Sequence, residues 1–171
     1  MKRTTKTGAA RAPALHCAAD QITSLLKESW LPQIYRETVL KSRTRSYHFG
    51  NLPRSARVEV RHTLLGVELK VGRRRFLCPD LATARYLSVF ARAGCQDVAV
   101  PYDITQLSKV ADELESSWQR MLLFIDHNVP ETLRSRIRGL LIARLCREIA
   151  EAGAGTAIPE FKQSTRQRGT H

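Results

Sequence analysis

Acidic residues are scarce in the first half of this 171-residue chain. Residues 1–80 carry 16 Lys or Arg against 6 Asp or Glu, while residues 81–171 carry 12 against 10. No Asp occurs between residues 21 and 79. The formal net charge of +12 therefore sits almost wholly in the amino-terminal half. Arg outnumbers Lys 21 to 7, which a codon bias explains, but a codon bias does not explain the missing acids. Uncompensated positive charge attracts phosphate backbones, so DNA or RNA is the expected partner.

Other absences narrow the field. The four cysteines show no CxxC or CxH spacing, which argues against a zinc knuckle or finger. They are expected to be small buried apolar side chains in a reducing compartment. No apolar run reaches the roughly 18 residues of a membrane helix. The leader MKRTTKTGAARAPALHCAAD is basic but has no apolar stretch of a secretory signal, so a cytoplasmic protein is expected. GxGxxG, GxxxxGK[ST] and GxSxG are all missing, leaving nucleotide cofactors and a nucleophile elbow without support. The five histidines show no metal-ligand spacing.

What is present reads as one α+β domain over residues 18–152, between a flexible basic tail (1–17) and a flexible carboxy-terminal tail (153–171). Residues 18–40 carry a helical stripe that Pro32 should interrupt or kink. Residues 41–55, KSRTRSYHFGNLPRS, read as a basic loop. Three alternating runs follow, 57–64, 67–71 and 73–78, forming a three-stranded antiparallel meander. Val58, Val60, His62 and Leu64 fall on one side of the first strand, which makes His62 a core histidine. Asp80 should cap a helix over 81–93 that Gly94 stops. Residues 96–101 form a fourth strand, expected parallel to a neighbour because it follows a helix. Two long helices, 104–126 and 131–152, make an αα-hairpin.

On the middle strand of the meander lies Glu68-Leu69-Lys70. This tripeptide and the order of elements over residues 18–101 resemble the core of the PD-(D/E)xK nuclease superfamily. The resemblance implies Glu68 as a ligand to a divalent metal such as Mg²⁺ and Lys70 beside the attacking water. It also requires a first acid, and Glu59 is the only one on the preceding strand. A tight turn at Leu65-Gly66 would pair Thr63 with Glu68 and Arg61 with Lys70. Glu59 would then lie roughly 14 Å along the strand from the residue opposite Glu68, too far to share an ion. Only a changed register, or an acid from another element such as Glu37 or Asp103, would complete the site.

That register, with a second turn at Gly72-Arg73, places Arg61, Lys70 and Arg75 side by side on the outer face. Like charges opposite one another destabilise a sheet pair unless an anion relieves them. The expected phosphate-binding residues are Arg43, Arg45, Arg57, Arg61, Lys70, Arg73, Arg74 and Arg75. Tyr47, His48 and Phe49 could stack on bases or anchor the loop to the core. The leading expectation is a non-catalytic nucleic-acid-binding protein without a cofactor. The alternatives are a Mg²⁺-dependent nuclease using Glu68 and Lys70, and an interaction module or homodimer built on the helical hairpin.

Overall fold

In the computed structural model, residues 11–53 and 56–155 are described. Helix α1 spans Arg11–Leu26, so helical structure reaches into the segment expected to be a tail. The chain breaks at Lys27 (φ 49°) and the extended Trp30, before Pro32. Pro32 then occupies the first turn of the short α2, Leu31–Ile34, where its missing N–H leaves no bond unmade. A π-helical turn, Tyr35–Val39, follows. Pro32 thus starts a new helix and does not kink a continuous one.

The expected basic loop contains a strand, β1 (Thr44–His48). It pairs antiparallel with β5 (Asp97–Pro101), in register Thr44 to Pro101 through His48 to Asp97. The fourth strand of the sequence reading is therefore antiparallel, and it lies in a separate two-stranded sheet. The meander forms the other sheet: β2 (Val58–Thr63), β3 (Gly66–Val71) and β4 (Arg74–Cys78), in that order.

Asp80 caps α3 (Leu81–Ala93) by accepting the Thr83 N–H at 2.7 Å, and Gly94 ends it in the left-handed region (φ 78°). One side of α3 covers the inner face of the meander, where Leu69, Val71 and Cys78 are buried. Its other side meets α4 (Ile104–Asn128). Helix α5 (Glu131–Ala152) turns back, burying Ile137, Leu141, Leu145 and Ile149 against α1 and α4. The spread of apolar residues on α5 is thus met largely within the chain, by α1 on one side and α4 on another.

β5 is buried along Val98, Ala99 and Val100, and β1 pairs with only one of its edges. At the other edge the Ala99 N–H donates to the Tyr35 hydroxyl (2.8 Å), and the Tyr86 hydroxyl donates to the Ala99 carbonyl (2.5 Å). The Tyr35 hydroxyl donates its own hydrogen bond to the Gly153 carbonyl just beyond α5 (2.7 Å). Burial pushes the Tyr35 phenol up to about 12, and the Tyr86 phenol well above its ordinary value.

Tyr35→Phe leaves a buried N–H and a carbonyl without this partner and should cost about 1–3 kcal/mol, read by urea denaturation. An unfolded tyrosine loses its proton near pH 10 while Tyr35 keeps it to about 12. The unfolded chain then holds fewer protons, so stability falls as pH rises through that window. The fall should be shallower in Tyr35→Phe.

Candidate nucleic-acid interface

The turn between β2 and β3 decides what faces what on the ribbon. Thr63 closes it: its hydroxyl donates to the Gly66 carbonyl (3.0 Å) and accepts the Leu65 N–H (3.2 Å). The turn residues are therefore Leu64 and Leu65, while Gly66 begins β3 with φ 123°. Thr63 pairs with Gly66, Arg61 with Glu68, Glu59 with Lys70 and Val58 with Val71. This corrects the expected pairing by two residues along the partner strand. The second hairpin turns at Gly72-Arg73 as expected, pairing Val71 with Arg74, Lys70 with Arg75 and Leu69 with Phe76.

The corrected register replaces the row of three cations. One outer row reads Glu59, Lys70, Arg75, and the next reads Arg61, Glu68, Leu77. Arg57 extends the first edge, its carbonyl accepting the Gly72 N–H at 2.9 Å. Glu59 is held by Arg57 (2.6 Å) and by a close contact with Arg61. Its carboxyl is lowered, first by the Arg61 hydrogen bond, with Arg57 and Lys70 adding to the effect. Glu68 has Arg75 at 3.9 Å. Neither Lys70 nor Arg73 forms an ion pair with a described residue. Five cations, Arg57, Arg61, Lys70, Arg73 and Arg75, thus outnumber two acids on this face and its turn.

The other proposed binding residues lie elsewhere. Arg74 has the opposite parity on β4; its guanidinium stacks over Phe76 (5.1 Å) and donates to the Asn51 carbonyl (3.1 Å). Arg43 and Arg45 belong to β1 and its approach, in the other sheet. Arg43 lies over the Tyr102 ring at 5.2 Å, and the Arg45 Nε is buried without a hydrogen-bond partner. Phe49 is buried and joins Tyr47 and Phe76 edge-on, at 5.0 and 5.6 Å. It anchors the segment and is closed to base stacking. Burial raises the half-buried Tyr47 phenol, and His48 pairs with Asp97.

Glu59 and Glu68 are diagonal neighbours across β2 and β3, a relation that separates residues by about 7–8 Å. The 14 Å gap expected from sequence is therefore not there. Arg57 and Arg61 occupy the Glu59 lone pairs a cation would need, while Arg75 stands 3.9 Å from Glu68, beyond hydrogen-bond distance. Glu37 accepts from Gln33 (2.5 Å), and Asp103 caps α4 through the Thr105 N–H (2.8 Å). Among the described residues no three His, Cys, Asp or Glu side chains gather as a metal site.

Several side chains depart from expectation. His62 is exposed, as is the whole tip half of β2, Arg61–Thr63. Leu64, expected on the apolar side, is fully exposed; Leu65 is 86% exposed and Leu77 65%. Cys17 is exposed rather than buried. The Cys95 and Cys146 sulfurs are 3.4 Å apart, and their hydrogen bond together with burial pushes the Cys95 thiol far up, making it a poor nucleophile. The sequence reading missed the exposed leucines; the signal was Thr63, whose hydroxyl can close a turn over the two residues after it.

Comparison with protein families, with curated proteins and with solved structures found no match. The register itself is open to direct measurement. Cross-strand nuclear Overhauser contacts should join Arg61 to Glu68 and Glu59 to Lys70. Contacts joining Thr63 to Glu68 would restore the other pairing.

Proposed function

We propose that this protein binds nucleic acid through phosphate contacts made by Arg57, Arg61, Lys70, Arg73 and Arg75, without catalysis. The observation that carries the reading is the Lys70–Arg75 pair. Two cations lie directly opposite each other on an open sheet face; Arg75 has Glu68 at 3.9 Å, while Lys70, with Glu59 as its other cross-strand neighbour, forms no ion pair with a described residue. Such a pair disfavours the sheet in isolation, and a bound phosphate removes the penalty. A face of alternating cations gives affinity with little choice of sequence. Among the described residues no helix is long and apolar enough to cross a membrane.

Arginines on edge strands also keep sheets from pairing with other chains. That protection works with charge of either sign, so charge reversal separates the two roles. The Arg61→Glu, Lys70→Glu, Arg73→Glu, Arg75→Glu variant should stay soluble and folded by circular dichroism while losing nucleic-acid binding. Retained binding would reject the mapping. For the wild type, about four phosphate contacts predict an affinity loss of roughly a hundredfold between 50 and 200 mM salt. Glu59→Gln frees Arg57 and Arg61 and should raise affinity a few-fold in the same titration.

A second reading keeps Glu68 and Lys70 as nuclease residues, with Mg²⁺ held by Glu68 and Glu59, and it draws on their diagonal placement. The two arginines bound to Glu59, the acid that would have to share the ion, favour the non-catalytic reading. Incubation with Mg²⁺ or Mn²⁺ should leave DNA and RNA intact. Cleavage that disappears in both Glu68→Ala and Lys70→Ala would establish the second reading instead.

A further inference from the structure

We propose that the β2–β3 hairpin tip is an apolar wedge that enters the minor groove of duplex DNA and unstacks a base step. The inference rests on the nucleic-acid reading above and adds to it a duplex, a groove and a deformation. Its basis is the placement of Leu64 and Leu65. They occupy the two turn positions at the far end of the ribbon, fully and 86% exposed, with Leu77 exposed behind them on the outer face. Exposed leucines at an apex gain nothing for the fold, because no core lies within their reach. Single exposed apolar residues are commonplace, but two on one hairpin end with a third beside it on β4 form a patch.

The shape of the tip suits a groove. Behind the leucines come Thr63 and Gly66, one with its hydroxyl folded back onto the turn and the other with no side chain. At the tip the two strand axes are about 5 Å apart, and β4 joins them one residue back, where Val67 pairs with Cys78. Entry of the tip would widen the roughly 6 Å minor groove, as strand-based minor-groove readers with apolar wedges do. Next behind the tip, Arg61 projects on the outer face and exposed His62 on the opposite one. The two side chains straddle the blade as the two phosphate backbones straddle the groove. Farther back, Lys70 and Arg75 lie four to five residues from the apex, roughly 15 Å, over the outer backbone. Apolar side chains inserted between base steps, with cations on the flanking phosphates, are an established way of kinking a duplex.

A second copy of the chain is a poor occupant. Two turn leucines and Leu77 offer far less than the roughly 1,000 Å² of a stable interface. Charge complementarity selects a polyanion, and the slim tip selects a groove over a flat surface.

The test uses the full chain and a 20-base-pair duplex carrying one central TA step, which unstacks readily. 2-Aminopurine beside that step reports unstacking, and end-to-end energy transfer reports bending. The wild type should raise the 2-aminopurine signal and shorten the end-to-end distance. Leu64→Ser with Leu65→Ser should abolish both signals and weaken binding about tenfold, with the salt dependence unchanged. Leu65→Phe, a bulkier wedge, should preserve them. Salt-dependent binding with no unstacking or bending overturns the wedge and leaves the basic face standing. No binding to any duplex or single strand overturns both. Leucine-dependent binding to phosphatidylserine vesicles, with none of the duplex signals, also overturns the wedge and assigns the tip to a bilayer.

Discussion

Everything in this fold is arranged around one difficulty, a buried β5 with one neighbouring strand among the described residues. A two-stranded sheet in the interior leaves peptide groups on its far edge, and buried peptide groups must be paired. Two phenols meet that need at Ala99. Tyr35 takes its N–H and Tyr86 gives to its carbonyl, so the edge is closed by side chains from two helical segments. Tyr35 then donates to Gly153, which ties the end of α5 to the same point. One residue on a π-helical turn thereby links the amino-terminal helices, the inner sheet and the last helix. The packing of Tyr35 and Tyr86 on Phe90, at 5.6 and 5.0 Å, extends the junction into α3.

That junction leaves α3 as a fixed wall with two sides. One side belongs to the helical layer, through α4. The other supports the meander on its inner face alone, as antiparallel sheets allow. The outer face has no covering element within the described chain, so its side chains answer to solvent and to whatever binds there. This division explains the burial pattern along β3, where Leu69 and Val71 are buried and the intervening residues are only partly covered. It also explains why the charge excess collects on the ribbon. The ribbon is the part of the molecule where charge costs the fold least.

The legible parts of this fold are those set by local chemistry. Asp80 and Gly94 bracket α3 as their cap preferences dictate, and the three-and-four spacing from Ile104 and from Glu131 locates both long helices. Gly72, with φ 59°, locates the second hairpin turn and hence the Lys70–Arg75 pairing. The illegible parts depend on distant partners. β1 is five residues of Thr, Arg, Ser, Tyr and His, and only pairing with a segment about fifty residues away makes it a strand. The break before Pro32 and the tyrosine junction likewise follow from what α5 and β5 present. His62 alternates correctly with its apolar neighbours, yet it lies on the exposed tip half of β2, which no local pattern marks.

The first hairpin shows how partial legibility works. Gly66 invites a turn at Leu65-Gly66, but Thr63 closes one over Leu64-Leu65. The resulting error in pairing is two residues. An odd slip would have moved every side chain to the other face, whereas an even one preserves faces and changes only partners. The basic face was therefore readable from alternation alone, and its rows were not. Those rows matter, because opposite-charge partners steady a sheet pair and like-charge partners weaken it. With Glu68 opposite Arg61 and Glu59 opposite Lys70, most of the ribbon is electrostatically quiet, and the unrelieved charge contracts to the end where Lys70 meets Arg75 near Arg57 and Arg73. The same hydroxyl that sets this register puts two leucines at the opposite end. A single Thr63 side chain thus separates the ribbon into a cationic base and an apolar apex, and that polarity gives the face a direction in which to meet a ligand.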